Sequence, residues 1–185
     1  MMHAVIVEMS EKMAKSLDSF KNELAKVRTG RASLALLDGI MVNAYGSQMP
    51  VNQVGSITIP ESRMIAIQPW DAQLLPAIEK AILKSGIGLT PVSDGKVVRL
   101  NIPQLTEERR KELVKQVKKI AEEFRVAVRN LRRDAIETLK KLKKDKAISE
   151  DELFRHQEEA QNETDSRIKE IDSIAAVKEK EVMEV

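Results

Sequence analysis

Cysteine is absent from this chain, so neither disulfides nor thiolate chemistry contributes to its fold. No apolar run approaches the roughly 18 residues that a membrane-spanning helix needs. Aromatic side chains are scarce, with Phe20, Tyr45, Trp70, Phe124 and Phe154 the only ones among 185 residues. That is too few for a protein that stacks on successive unpaired bases, and Tyr45 and Trp70 are expected in a domain core. The first residues, MMHAVIVEMSEKM, include Glu8 and Glu11 and lack both a basic start and a cleavage site. They are expected to belong to a mature cytoplasmic chain. What is abundant is charge, 32% of residues, beside 42% hydrophobic ones, a balance of packed helices with solvated faces rather than disorder.

Helix breakers are also missing from both flanks. All seven glycines lie between Gly30 and Gly95 and all six prolines between Pro50 and Pro103. Residues 1–29 and 104–185 therefore read as long helices around an irregular, β-containing insertion. In the first flank Ile6, Met9, Met13, Leu17, Phe20, Leu24 and Val27 recur at threes and fours, one buried stripe of a helix. Leu113, Val117, Ile120, Phe124, Leu131, Ala135 and Leu142 repeat the pattern in the second, and at about 1.5 Å per residue their helix is a rod of roughly 60 Å. Ser149-Glu150-Asp151-Glu152 has the form of a capping box that starts a third helix, with Leu153, Ala160, Thr164, Ile171 and Ala175 as its stripe. A short turn at Lys146-Ala147-Ile148 makes the last two helices antiparallel neighbours.

The middle of the chain changes period. Ile57, Ile59, Ile65 and Ile67 alternate, and Val97, Val98, Leu100 and Ile102 follow Asp94-Gly95, so both stretches read as strands. Turns are expected at Tyr45-Gly46, Ile59-Pro60 and Asp94-Gly95. Between the strands, Pro76 opens a helix through residues 77–83 and Gly86 closes it. The fold class is α+β: a three-helix bundle of residues 1–29 and 105–185, with a small β/α/β domain of residues 30–104 inserted between helices 1 and 2. Two chain crossings, at Thr29-Gly30-Arg31 and Pro103-Gln104-Leu105, form the expected hinge.

Charge is divided unevenly. Residues 105–148 hold 15 Lys/Arg against 8 Asp/Glu, and residues 149–185 hold 5 against 12. An acidic helix beside a basic one would neutralise much of this. At 100° per residue, however, Arg125, Arg129 and Arg132 share one strip of the second helix, with Lys118 two turns earlier, Arg133 at its edge and Asn130 further round. Four arginines and no lysine between Arg125 and Arg133 are more than solubility needs, because the guanidinium fork suits phosphate. Phosphate binding is the sharper reading of that strip, and a solvated face the plainer one. Arg28 and Arg31 add two cations where the first helix stops.

Signs of catalysis are poor. There is no phosphate-cradling glycine loop and no nucleophile elbow, and no carboxylate pair stands in an apolar setting. His3, at a frayed end, and His156, on an acidic helix, read as surface residues. No catalytic residue, metal site or cofactor is expected.

Three strings carry a resemblance: Lys26-Val27-Arg28-Thr29-Gly30-Arg31-Ala32-Ser33, Leu105-Thr106-Glu107-Glu108-Arg109-Arg110-Lys111-Glu112-Leu113, and Arg125 through Ala135. Supporting pieces follow at the right intervals, among them Leu36-Leu37-Asp38-Gly39, Pro69-Trp70-Asp71 and Ile148 through Glu152. Over essentially its whole length the chain resembles the ribosome recycling factors. The resemblance implies an L-shaped molecule of two hinged domains. It implies a cytoplasmic, non-enzymatic translation factor that binds the post-termination ribosome and, with elongation factor G and GTP, splits it into subunits. It also implies contacts with large-subunit rRNA at the subunit interface through Arg28, Arg31, Arg129 and Arg132, Arg132 foremost, while the inserted domain and hinge face the partner factor. Where the family often has Ser-Asp-Leu-Gly-Leu-Asn-Pro, this chain reads Ser85-Gly86-Ile87-Gly88-Leu89-Thr90-Pro91, an extra glycine that would loosen the loop. The full set of expected RNA contacts is Arg28, Arg31, Arg125, Arg129, Asn130, Arg132 and Arg133. A monomer is expected, since three helices close their own core. The competing reading, which the helical periodicity alone equally permits, is a helical chaperone or coiled-coil scaffold.

Overall fold

A computed structural model describes residues 3–184. In chain order its elements are α1 (Ala4–Ala25), β1 (Met41–Ala44), β2 (Ser47–Pro50), α2 (Val51–Val54), β3 (Gly55–Glu61), β4 (Met64–Pro69), α3 (Leu75–Lys84), β5 (Pro91–Ser93), β6 (Val98–Asn101), α4 (Glu107–Lys144) and α5 (Glu150–Met183). They form two compact units, one running up to Val27 and resuming at Glu108, the other Arg28–Glu107.

The helical unit is built on the expected stripes, with shifts that follow from packing. On α1, Ile6, Met9, Met13, Leu17, Phe20 and Leu24 are buried. The helix stops at Ala25 rather than residue 29. The amides of Lys26 and Val27 turn back to the carbonyls of Glu23 and Leu24, tightening the last turn, and Gly30, at φ +74°, turns the chain only beyond it. His3 is not frayed: its Nδ1 accepts the Val5 amide at 3.3 Å and caps α1.

On α4 the buried residues are Leu113, Val117, Ala121, Val128, Ala135 and Leu139, so the seam is displaced from the predicted stripe. Ile120, Phe124, Leu131 and Leu142 flank it half-buried, and the Phe124 ring still reaches Phe20 at 5.3 Å between centroids. The small side chains Ala121, Ala135, Ala160, Thr164 and Ala175 occupy buried positions where helices meet. Thr164 satisfies its hydroxyl on the Ala160 carbonyl at 2.7 Å. At the end of α4 the Ala147 amide bonds Leu142 O (2.9 Å) and the Lys146 amide bonds Lys143 O (3.0 Å), with Lys146 at φ 58°. This is a Schellman ending with lysine in the left-handed place glycine usually takes. The capping box of α5 is complete, with Glu152 N to Ser149 Oγ at 3.2 Å and Ser149 N to Glu152 Oε2 at 2.8 Å.

Side-chain contacts set the helix directions. His3 meets His156 and Ser10 bonds Glu163, so α1 and α5 run parallel. Arg110 with Met183, Arg132 with Gln161, and Lys143 with Glu150 step in opposite senses, so α4 is antiparallel to α5. His156, expected on the surface, is 4% exposed. It takes the buried place predicted for Leu153, which is half-buried, and its Nδ1 lies 2.9 Å from Glu159 Oε2.

The inserted unit holds more β structure than the alternation predicts. The pair β1-β2 is a hairpin closed by Tyr45 (φ 51°) and Gly46 (φ 80°), a two-residue turn with both central residues left-handed. The other four strands form an antiparallel sheet in the order β3-β4-β6-β5. Ile65, Ile67, Val98 and Leu100 from the sheet, Val42 and Ala44 from β1, and Ile78 and Ile82 from α3 share one core. Ile59-Pro60 is not a turn. It lies within β3, whose register with β4 slips between Thr58 and Glu61, and proline is tolerated because β3 is an edge strand. Tyr45 and Trp70 are not in the core but 75% and 72% exposed. Tyr45 sits at a hairpin tip, and its hydroxyl donates to Asp71 Oδ2 at 3.1 Å.

Both chain crossings are fastened to the β3-β4 turn. The Ala32 amide donates to Ser62 O (2.7 Å) and the Ile102 amide to Arg63 O (2.8 Å). A Cβ at Gly30 would lie 3.3 Å from the Leu105 side chain, so the two crossings pack against each other.

Candidate nucleic-acid interface

The arginine strip is a face of α4, an uninterrupted helix whose buried residues fix which way the remaining side chains point. Arg125, Arg129 and Arg132 are half-buried, while Lys118, Asn130 and Arg133 are exposed. Their partners differ in a way the sequence does not disclose. Arg125 donates through Nε to Asp172 Oδ1 at 2.7 Å and through Nη1 to Glu122 Oε2 at 3.1 Å. Burial works against its charge, but these two carboxylates outweigh it and raise its pKa above the ordinary arginine value. Arg129 reaches the other oxygen of the same Glu122 at 3.4 Å.

Arg132 is held differently. Its Nη1 donates to the amide oxygen of Gln161 at 2.5 Å, and Gln161 passes a hydrogen bond from Nε2 to Asp165 Oδ1 at 2.7 Å. Its Nε is buried with no hydrogen-bond partner among the described residues. The first two arginines are thus ion-paired within the protein, whereas Arg132 is oriented by a neutral amide and has no carboxylate partner among the described residues. A planar cation fixed in this way is suited to a phosphate oxygen, which accepts what Gln161 cannot neutralise.

Arg28 and Arg31 belong to the inserted unit and are exposed. Arg28 donates to the backbone carbonyl of Ile87, inside the loop where Gly86 and Gly88 take φ of +72° and +73°. The extra glycine therefore adopts a defined left-handed turn, and the guanidinium of Arg28 fastens it. Sequence reasoning missed this contact, since nothing in the spacing links residues 28 and 87. It also missed Glu122, which stands one helical turn before Arg125 and could have been found from that spacing, and Asp172, Gln161 and Asp165, which reach the strip from another helix. Among the described residues, no cluster of three or more His, Asp or Glu side chains could hold a metal ion, and no helix is long and apolar enough to cross a membrane.

Comparison with known proteins gives a consistent answer. A sequence model of the family "Ribosome recycling factor" matches residues 20–183. The ribosome-recycling factor of Desulfotalea psychrophila is 72% identical over 184 residues, and that of Desulfosudis oleivorans 57% identical over 185, each alignment covering all of both chains. Among solved structures, a solution structure of the ribosome recycling factor aligns with a TM-score of 0.80 and 47% identity, over 98% of this chain and 96% of the other. A second, describing the T. thermophilus ribosome recycling factor and the E. coli elongation factor G bound to the E. coli post-termination complex, aligns with a TM-score of 0.65 and 46% identity over 97% of each chain. A stripe-built bundle with a β-rich insertion, an arginine face on its longest helix, and full-length identity of this order make one conclusion necessary: the chain belongs to the ribosome recycling factor family, whose members are translation factors and not enzymes.

Proposed function

We propose that this chain acts in the cytoplasm as a monomer, binds the post-termination ribosome, and with elongation factor G and GTP separates it into subunits for a new round of initiation. The α4 face of Arg125, Arg129, Asn130, Arg132 and Arg133 is the contact with large-subunit rRNA, and Arg28 and Arg31 extend the basic surface of the inserted unit. The observation that carries this is the electrostatic state of Arg132, a cation oriented by Gln161 and paired with no carboxylate among the described residues. Phosphate contacts of this kind position a protein on folded RNA by shape and charge, without stacking on splayed bases, as the scarcity of aromatics requires. The partner factor supplies GTP hydrolysis, and the chain's share is mechanical. The crossings at Thr29-Gly30-Arg31 and Pro103-Gln104-Leu105 join the two units as a hinge through which a push on the inserted unit reaches the bundle.

The test is sedimentation of post-termination ribosomes through a sucrose gradient with elongation factor G, GTP and either this chain or Arg132→Glu. Subunit peaks are expected with the native chain and not with the variant. No splitting by either chain overturns the function, and equal splitting by both overturns the site. A disulfide engineered across the two crossings should leave binding intact and abolish splitting, and unchanged splitting would rule out the hinge.

A further inference from the structure

The arginine face carries its own competitors. Asp172 lies 2.7 Å from the Arg125 guanidinium, and Glu122 spans Arg125 and Arg129 with its two oxygens at 3.1 and 3.4 Å. These carboxylates are not buried structural partners, since the side chain of Glu122 is 57% exposed and that of Asp172 54%. Exposed ion pairs contribute little to folding, so stability gives slight reason for two acids inside a strip of cations. For a ligand made of phosphates they matter more. Each phosphate that approaches Arg125 or Arg129 competes with a carboxylate already hydrogen-bonded there and meets its negative charge.

We infer that Glu122 and Asp172 act as intramolecular stand-ins for RNA phosphate, occupying Arg125 and Arg129 in the free protein and weakening the grip of the α4 face on rRNA while leaving Arg132 without such a competitor among the described residues. The inference rests on the proposed rRNA contact and names its regulation. A factor used for many rounds has to let go of its RNA after each one, and an internal anion that reclaims the arginines lowers the cost of departure. The geometry separates the three arginines by role: Arg132 meets a phosphate with no carboxylate beside it among the described residues, and Arg125 and Arg129 exchange one anion for another.

The experiment compares the native chain, Glu122→Gln/Asp172→Asn, and a matched control, Glu11→Gln/Glu158→Gln, which removes the same charge at exposed positions on α1 and α5. Equilibrium binding to purified 50S subunits is measured by fluorescence anisotropy from 50 to 300 mM KCl, over which the screening length falls from roughly 14 to roughly 6 Å. The strip variant should bind about 3- to 10-fold tighter at the lower salt, and its log–log salt slope should steepen by about one to two because two more cations release counterions. The control should move neither. Identical binding by strip variant and native chain, or equal tightening by the control, overturns the inference. Arg132→Glu in the same assay distinguishes the two levels: if it binds as well as the native chain, the rRNA contact itself fails, and if it binds poorly while the strip variant is unchanged, only the stand-in role fails. The single variant Asp172→Asn guards against altered folding, since it should give part of the gain with an unaltered circular-dichroism melt.

Discussion

Replacing Arg132 by Gln removes the charge while keeping most of the stem and a hydrogen-bonding head, so it isolates what that charge does. In the folded protein the guanidinium makes one hydrogen bond to a neutral amide, and its Nε is buried without a partner. Losing this charge-assisted bond costs about 1.5–3 kcal/mol, and removing a buried unsatisfied donor returns about 1–3, so the two nearly offset and stability should change by about 1 kcal/mol. For a chain of this size that is a shift in Tm of roughly 2–4 °C. Binding is another matter. A hydrogen bond to a charged group is worth about 1.5–3 kcal/mol, which at 1.4 kcal/mol per decade makes the variant roughly 10- to 150-fold weaker on 50S subunits. Arg129→Gln should lose less, because part of the charge it removes is already spent on Glu122. The assay is anisotropy on 50S subunits at fixed salt, paired with a thermal melt of each variant. If Arg129→Gln proves the more damaging, or if Arg132→Gln lowers Tm by 10 °C together with affinity, the argument from charge compensation is wrong and Arg132 serves the bundle rather than the RNA.

Three further outcomes follow from the fold. Lys146 stands at φ 58°, so Lys146→Gly should stabilise the chain by about 1 kcal/mol, and an unchanged or lower Tm would refute the strain assigned to that turn. A Cβ on Gly55 would sit 2.6 Å from Gln68 O and 2.9 Å from Pro69 Cα, atoms of backbone that cannot step aside, so Gly55→Ala should destabilise the inserted unit by about 3 kcal/mol, read as an earlier urea transition of Trp70 fluorescence. The backbone and hydroxyl of Ser149 hold the Glu152 carboxyl below its ordinary pKa of 4.5, so its stabilising effect is complete above that value and fades as pH falls through the lower folded one; Glu152→Gln should therefore lower Tm at pH 7 and converge with the native chain in acid, and a deficit that persists in acid refutes the linkage.

The helical unit was legible because its signals are local. A stripe at threes and fours, the absence of glycine and proline, and Ser149 with Glu152 each act within one or two turns. The displacement of the α4 seam, with Ala121 and Val128 buried and Ile120 and Leu131 only partly so, was not legible, because it depends on how closely three helices approach. His156 misled for a related reason. An acidic local sequence suggests solvent, yet the residue faces α1, where the ring of His3 lies 5.0 Å from its own. In the inserted unit, β1, β2 and β5 are only three or four residues long, too short for alternation to register. Hydrophobicity alone places Trp70 and Tyr45 in a core, whereas the position just past β4 and a hairpin tip leave them in solvent.

The site divides along the same line. That Arg125, Arg129 and Arg132 share a face is a property of one helix and needs only 100° per residue. Which of them is neutralised depends on α5, whose register against α4 is set by the core and not by any charge. Asp172 falls opposite Arg125 and Gln161 opposite Arg132, a difference between an acid and an amide at two places on one acidic helix. Net charge counted over residues 149–185 hides it, because it treats the helix as a uniform anion. Mutual neutralisation of a basic helix by an acidic one holds for Arg125 with Asp172 and for Lys143 with Glu150. It fails at Arg132, where the acidic helix presents a neutral side chain. On one face of α4, two turns apart, Arg125 is paired with a carboxylate of the neighbouring helix and Arg132 with an amide, so a phosphate contact of the kind proposed meets less competition at Arg132 than at Arg125.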